Sequence, residues 1–153
     1  MNTSRCRMAN VDVPGAPWAL RLPWLFGLEN MAATVAKVMG TLPPEERAKA
    51  VVFGDNYGDA GAIDFYAAKY HLPSAISGHN NYYLWGTHAW NGAVIVRIGD
   101  KVQTLKRICE RAYQAATIVS PNAMPYKTDL PVNVCIYLKV PLAQIWPSLK
   151  EYI

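Results

Sequence analysis

Ala50-Val51-Val52-Phe53-Gly54-Asp55-Asn56-Tyr57-Gly58-Asp59 is the stretch on which the reading of this chain turns. Ala50 to Phe53 is apolar without alternation, the pattern of a strand buried on both faces, as in a parallel sheet. Gly54 ends it and a polar loop follows. Ala60, Ile63, Phe65, Tyr66 and Tyr70 then predict a helix, closed by the break at Leu72-Pro73. The same alternation of elements runs on. Ser74 to Ser77 is a second short strand, Ala93 to Ile98 a third, and Gly99-Asp100 turns the chain into a helix around Val102 to Glu110. Tyr113 to Val119 and Val132 to Leu138 supply a fourth and a fifth strand, and Pro141 opens a last helix through Trp146.

Upstream, Leu28, Met31, Ala32, Val35, Val38 and Met39 recur at helical spacing. Glu29 is placed in the first turn of that helix, Lys37 in its last, and Gly40 where a C′ residue belongs. Pro43-Pro44-Glu45-Glu46 reads as a further helix start. Strands alternating with helices predict an α/β fold: a three-layer α/β/α, Rossmann-like, open and mainly parallel sheet of about five strands. Residues 1–17, punctuated by Asn10, Asp12, Pro14, Gly15 and Pro17, read as a flexible arm, and 18–153 as a single domain.

Composition narrows the function classes. Among 153 residues, 52% are apolar and 17% charged, which excludes a disordered tail, a collagen-like chain and a coiled coil. The net charge of +4 comes from Lys and Arg scattered mostly singly, so no basic stripe marks a nucleic-acid partner. The longest apolar stretch, Pro17 to Leu28, is cut by Arg21 and Pro23 and predicts no membrane span. The N-terminus lacks the apolar core of a secretory signal. Cys6, Cys109 and Cys135 have no metal-type spacing. Cys109 and Cys135 lie among apolar neighbours and read first as buried free thiols, with a single disulfide as the alternative.

Polar chemistry gathers in two loops, Gly54 to Asp59 after the first strand and Ser77 to Gly86 after the second. If both strands are parallel, both loops leave the same carboxyl edge, where open α/β sheets hold their ligands. The candidate ligand-binding residues are therefore Asp55, Asn56, Tyr57, Asp59, Ser77, His79, Asn80, Asn81, Tyr82 and Trp85. Each has a plainer role. Asp55 and Asn56 suit a turn or an N-cap, and Asp59 suits the first helical turn. His79 suits a general base or a histidine that holds its loop by hydrogen bonds. Asn80 and Asn81 suit recognition of hydroxyls, or capping of a short helix into Tyr82-Leu84. Trp24 and Trp146 read as core under the first and last helices, while Tyr57, Tyr82, Tyr83, Trp85 and Trp90 stay open between stacking surface and core.

Zinc is disfavoured, since no second His or Cys stands at ligand spacing, and an Asp55, Asp59 and His79 site for magnesium or calcium is weakly supported. The sequence predicts no resident metal or cofactor. Dinucleotide, phosphate-loop and nucleophile-elbow signatures are missing as well. No catalytic residue is assigned. The enzyme alternative is a small hydrolase with His79 as base and Asp55 or Asp59 orienting it.

Asn56-Tyr57-Gly58-Asp59-Ala60-Gly61-Ala62-Ile63-Asp64-Phe65-Tyr66, Leu72-Pro73, and Ser77 through Gly86 together resemble the C-terminal soluble region of some bacterial membrane proteins. Those belong to glycosyltransferase family 39, the dolichyl-phosphate-mannose protein mannosyltransferase-like proteins. The similarity extends to Leu42-Pro43-Pro44-Glu45-Glu46-Arg47, Asn122-Ala123-Met124-Pro125-Tyr126, Leu130-Pro131 and Pro141 through Lys150, about residues 24 to 152. The resemblance implies a role rather than a catalyst, because transfer in such proteins belongs to a membrane part that this chain does not match. It implies an extracytoplasmic accessory domain that binds a glycan, a lipid-linked sugar or another protein; the two loops by themselves suit a sugar-like or other polar small molecule. A homodimer built on exposed aromatics and a purely structural domain are the remaining expectations. Read as a complete protein the chain is cytoplasmic; read as a fragment of such a membrane protein it is extracytoplasmic.

Overall fold

A computed structural model describes residues 23–120 and 127–152. The expected arm, Cys6 and the Asn122 to Tyr126 motif lie outside the described residues, as does the side chain of Trp24. Helix α1 (Pro23–Thr41) and the single turn α2 (Pro44–Arg47) lead into β1 (Ala50–Phe53). Helix α3 (Tyr57–Tyr70), β2 (Ala75–Ile76), α4 (Asn81–Trp85) and β3 (Val94–Ile98) follow. Helix α5 (Val102–Ile108) runs directly into β4 (Cys109–Val119), which pairs with β5 (Asp129–Leu138). The chain closes with α6 (Leu142–Ile145) and a 3₁₀ turn over Trp146–Leu149. Among the described residues no helix is long and apolar enough to cross a membrane.

The fold is α/β, built on one open five-stranded sheet in the order β2-β1-β3-β5-β4. Strands β2, β1 and β3 are parallel, whereas β5 runs antiparallel to β3 and β4 antiparallel to β5. The sheet is thus mixed, and it departs from the mainly parallel Rossmann-like pattern at its β4 side. Parallel pairing needs a crossover, and α3 supplies one between β1 and β2; β4 and β5 pair antiparallel, which needs none.

The continuous apolar runs have a direct explanation in packing. Alternate residues of one strand feed two separate cores. Val52, Val94, Val96, Ile98, Val132, Val134 and Ile136 pack with Met31, Val35 and Val38 of α1 and Ala60 and Ile63 of α3. Val51, Phe53, Ile76, Ile95 and Cys135 pack on the other face with Leu105 of α5, Trp146 and Leu149. A strand covered on both sides has no polar alternation to display.

Several boundaries differ from the sequence reading. Helix α1 begins at Pro23 and continues through Gly40 to Thr41, so Glu29 and Lys37 sit inside it rather than in its end turns. Glu29 instead pairs with Lys69 and accepts a 3.0 Å hydrogen bond from the Tyr70 hydroxyl, tying α1 to α3. Helix α5 stops at Ile108, and β4 starts at Cys109 rather than Tyr113. Phe65 fits the apolar spacing of α3 yet is 80% exposed. Cys109 and Cys135 are not free thiols: they form a disulfide, with Cα atoms 5.7 Å apart, that closes the β4–β5 unit. Both sulfurs lie in the second core, and apolar neighbours suit a buried disulfide as well as a buried thiol.

Candidate functional site

The chain leaves β1 toward α3, in the first core, and leaves β3 toward α5, in the second. Neighbouring parallel strands whose connections depart to opposite faces open a crevice at their carboxyl ends. A cleft of about 280 Å³ lies there, lined by Phe53 from β1, Asp55 from the loop after it, Arg97 from β3, Gly78 from beyond β2, and the segment Ser148 to Glu151.

Arg97 is its best-fixed group. The Nε donates to Asp100 Oδ2 at 3.1 Å and Nη2 donates to Asp55 Oδ1 at 3.2 Å. The guanidinium lies 4.1 Å from the centre of the Phe53 ring, and its side chain is only 15% exposed. Asp100 is held in turn, because Asn133, fully buried on β5, donates from Nδ2 to its backbone oxygen at 2.5 Å. Each partly exposed ion pair contributes about 0–1 kcal/mol, so this chain of contacts orients the guanidinium more than it stabilises the fold.

The two predicted loops do approach one another, but through structural bonds. Asn56 caps α3: its Oδ1 accepts from the N–H groups of Gly58 at 2.9 Å and Asp59 at 3.1 Å. Its backbone oxygen accepts from Ala60 N–H at 3.1 Å. Tyr57 N–H donates to His79 Nδ1 at 3.3 Å, which puts the proton of the neutral ring on Nε2. The N–H groups of the first three residues of α3 are therefore satisfied from within the chain, and that of Ala60 makes the first intrahelical bond. These three donors are not left for a phosphate. Gly54 lets the helix approach β1, since a Cβ there would lie 2.6 Å from Ala60 N.

His79 is 2% exposed, and its ring stacks on that of Tyr57 with centroids 5.1 Å apart and planes 7° off parallel. Its own N–H donates to Ser77 Oγ at 3.2 Å. Neither carboxylate of the expected dyad meets it. Asp55 turns to Arg97. Asp59, buried at the first turn of α3, accepts from Lys127 Nζ at 2.5 Å and from Asn56 Nδ2 at 3.1 Å. Burial raises the Asp59 carboxyl above its ordinary range, and the Lys127 ammonium opposes that rise. The Asp55, Asp59 and His79 grouping weighed for magnesium or calcium is likewise dispersed among separate partners.

The remaining candidates divide by exposure. Tyr82 is buried, and its hydroxyl donates to Asp64 Oδ2 at 2.7 Å, while Asp64 Oδ1 accepts from Ala75 N–H at 2.7 Å. Burial first, then that carboxylate, drives the Tyr82 phenol far above its usual range. Asn80 precedes α4 with φ 51° and makes no side-chain cap bond, so the capping role expected of it is not met; Asn81 is the exposed first residue of α4. Trp85 is exposed and packs edge-on against Tyr82. Of the ten predicted residues only Asp55 lines the cleft. The sequence reading passes over Arg97, although it is the single charge in the run Ala93 to Ile98. Ser148 to Glu151 carried no local signal, because only tertiary folding returns them to this edge.

Comparison of the chain with models of known protein families, with curated proteins and with solved structures finds no match. The geometry must speak for itself. A wider hollow of about 420 Å³ opens at the amino ends of the strands, between Lys49, Pro73, Ser74, His88 and Trp90. No carboxylate lines it, and the Trp90 indole N–H is already bonded to Lys49 O at 3.0 Å. The smaller cleft, with both signs of charge and a fixed guanidinium, is the better site.

Proposed function

We propose that this chain is a non-catalytic binding module whose cleft at the carboxyl ends of β1 and β3 takes a small, polar, overall neutral ligand of the sugar class. The observation that carries the reading is the fixed Arg97 guanidinium beside Asp55 on the cleft wall. Lys150 and Glu151 line the same cleft, so two cations face two anions. A balanced set of donors and acceptors matches hydroxyl groups, which both donate and accept. A polyphosphate would meet two carboxylates and a helix start whose first three N–H groups are already bonded. The volume, near the small end of ligand pockets, suits about one ring.

The glycan reading also agrees with the resemblance to the soluble region of membrane glycosyltransferases, in which this chain is an accessory rather than a transferring part. The Cys109–Cys135 disulfide fits an oxidising, extracytoplasmic setting. A His79 hydrolase has no geometric support, since its ring nitrogen is committed to Tyr57 N–H and both carboxylates have other partners.

The test is titration calorimetry and glycan-array binding on the folded chain, with nucleotides as controls. Saturable binding of a neutral saccharide, weakened at least about tenfold by Arg97→Ala, is the expected result. Folded protein that binds no saccharide, or binds it equally well without Arg97, refutes the reading.

A further inference from the structure

Half of the residues that line the cleft come from 148–151, a segment held at a few points. Ser148, Leu149, Lys150 and Glu151 line it, and the segment is joined to the loop after β2 by one parallel bridge between His79 and Glu151. Two backbone hydrogen bonds make that bridge: Asn80 N–H to Glu151 O at 2.8 Å and Glu151 N–H to Gly78 O at 2.9 Å. Upstream, Trp146 anchors the segment, stacked on Tyr83 with ring centres 5.5 Å apart and edge-on to Phe53 at 6.4 Å. Leu149 packs against the second core and Tyr152 lies edge-on to Tyr83 with ring centres 6.5 Å apart, but Lys150, Glu151 and Tyr152 are all exposed, so these contacts are made at the surface beyond Leu149.

We infer that residues 149–152 form a strap that opens and closes the cleft, pivoting on the Trp146 anchor and latched by the Glu151 bridge. The inference rests on the cleft being the ligand site, and it makes access to that site a local unfolding event. Gly78 is the seat of the latch. It does not occupy the left-handed region, yet a Cβ there would lie 1.9 Å from Leu149 O. Only the closed strap therefore requires glycine. The neighbouring Asn80 is held at φ 51° and ψ −132° while donating to Glu151, a conformation that release of the strap would let relax.

The experiment reads the gate without any ligand. In a Cys6→Ser background, Arg97→Cys places a thiol at the cleft wall, and its alkylation by neutral iodoacetamide is timed. Gly78→Ala and, separately, Glu151→Pro are then added; the second deletes one latch bond at an exposed position and guards against misfolding of the first. Amide exchange at Asn80 reports the latch in each variant. Loss of Asn80 protection with alkylation accelerated at least about tenfold in both variants is the expected result. Alkylation unchanged while protection is lost, protection retained in both variants, or a parent thiol already as reactive as free cysteine overturns the strap. Saccharide calorimetry on the Gly78→Ala and Glu151→Pro variants and the parent chain, all with Arg97 retained, separates the two readings: accelerated alkylation with no saccharide binding to any of these three refutes the ligand and leaves the gate standing.

Discussion

Replacing His79 by Ala separates a structural histidine from a functional one, and the structure fixes the size of the effect. The ring is 2% exposed, so its removal leaves a void between α3 and the loop after β2. Loss of the Tyr57 N–H bond costs about 0.5–1.5 kcal/mol. Loss of the stacked Tyr57 contact costs a similar amount, about 0.5–1.5 kcal/mol. The void adds about 1 kcal/mol, less than for a larger aromatic because Tyr57 is half-exposed and free to settle into it. The sum is about 2–4 kcal/mol, which for a chain of this length lowers Tm by about 5–15 °C. Urea unfolding followed by circular dichroism, with calorimetric melting, measures it. His79→Asn puts an amide oxygen near the position of Nδ1 and should recover roughly half of the loss by restoring the acceptor without the stack. Phe65→Ala, at an 80% exposed position of the same helix, is the control and should stay within about 0.5 kcal/mol of the parent. A His79→Ala protein that melts within about 1 kcal/mol of the parent would refute the argument, the more so if ligand binding were lost.

Two further outcomes follow from the same contacts. The Cys109–Cys135 bridge closes a loop of 26 residues, and loop-closure entropy assigns it about 3.5 kcal/mol. The double Cys→Ala variant should lose about that much in urea unfolding, and equal stability of the two proteins would remove the bridge from the fold's support. Burial raises the Asp59 carboxyl above 3.8, so the folded chain holds that proton more tightly than the unfolded one. Its contribution to stability is therefore greatest below pH 3.8 and declines as pH rises through the elevated native value. Carbon-13 NMR titration should find Asp59 above 3.8, and higher still in Lys127→Met; a value at or below 3.8 would contradict its burial.

The strand-helix alternation was legible from Ala50 to Ile98 because burial on both faces leaves an unbroken apolar run. The β4 start was not, since Cys109 to Ala112 carries no strong strand pattern and continues directly from α5. The candidate site was legible as a place but not as a residue set. Asn56, Tyr57, His79 and Tyr82 look equally like ligand groups or loop braces in sequence, because the same donors and acceptors serve both purposes.

By itself the sequence determined the α/β class and the two polar loops, since apolar periodicity and turn chemistry are local properties; their shared sheet edge depended on the parallel pairing of β1 with β2, which is tertiary. Tertiary structure alone decided which groups at that edge remain available. Asn56 and His79 spend their acceptors on the first turn of α3, and Asp59 is buried against Lys127. Arg97 and a segment about fifty residues further along the chain complete the cleft instead. Hydrogen-bond commitments across such separations are set by packing, and the order of residues along the chain does not record them.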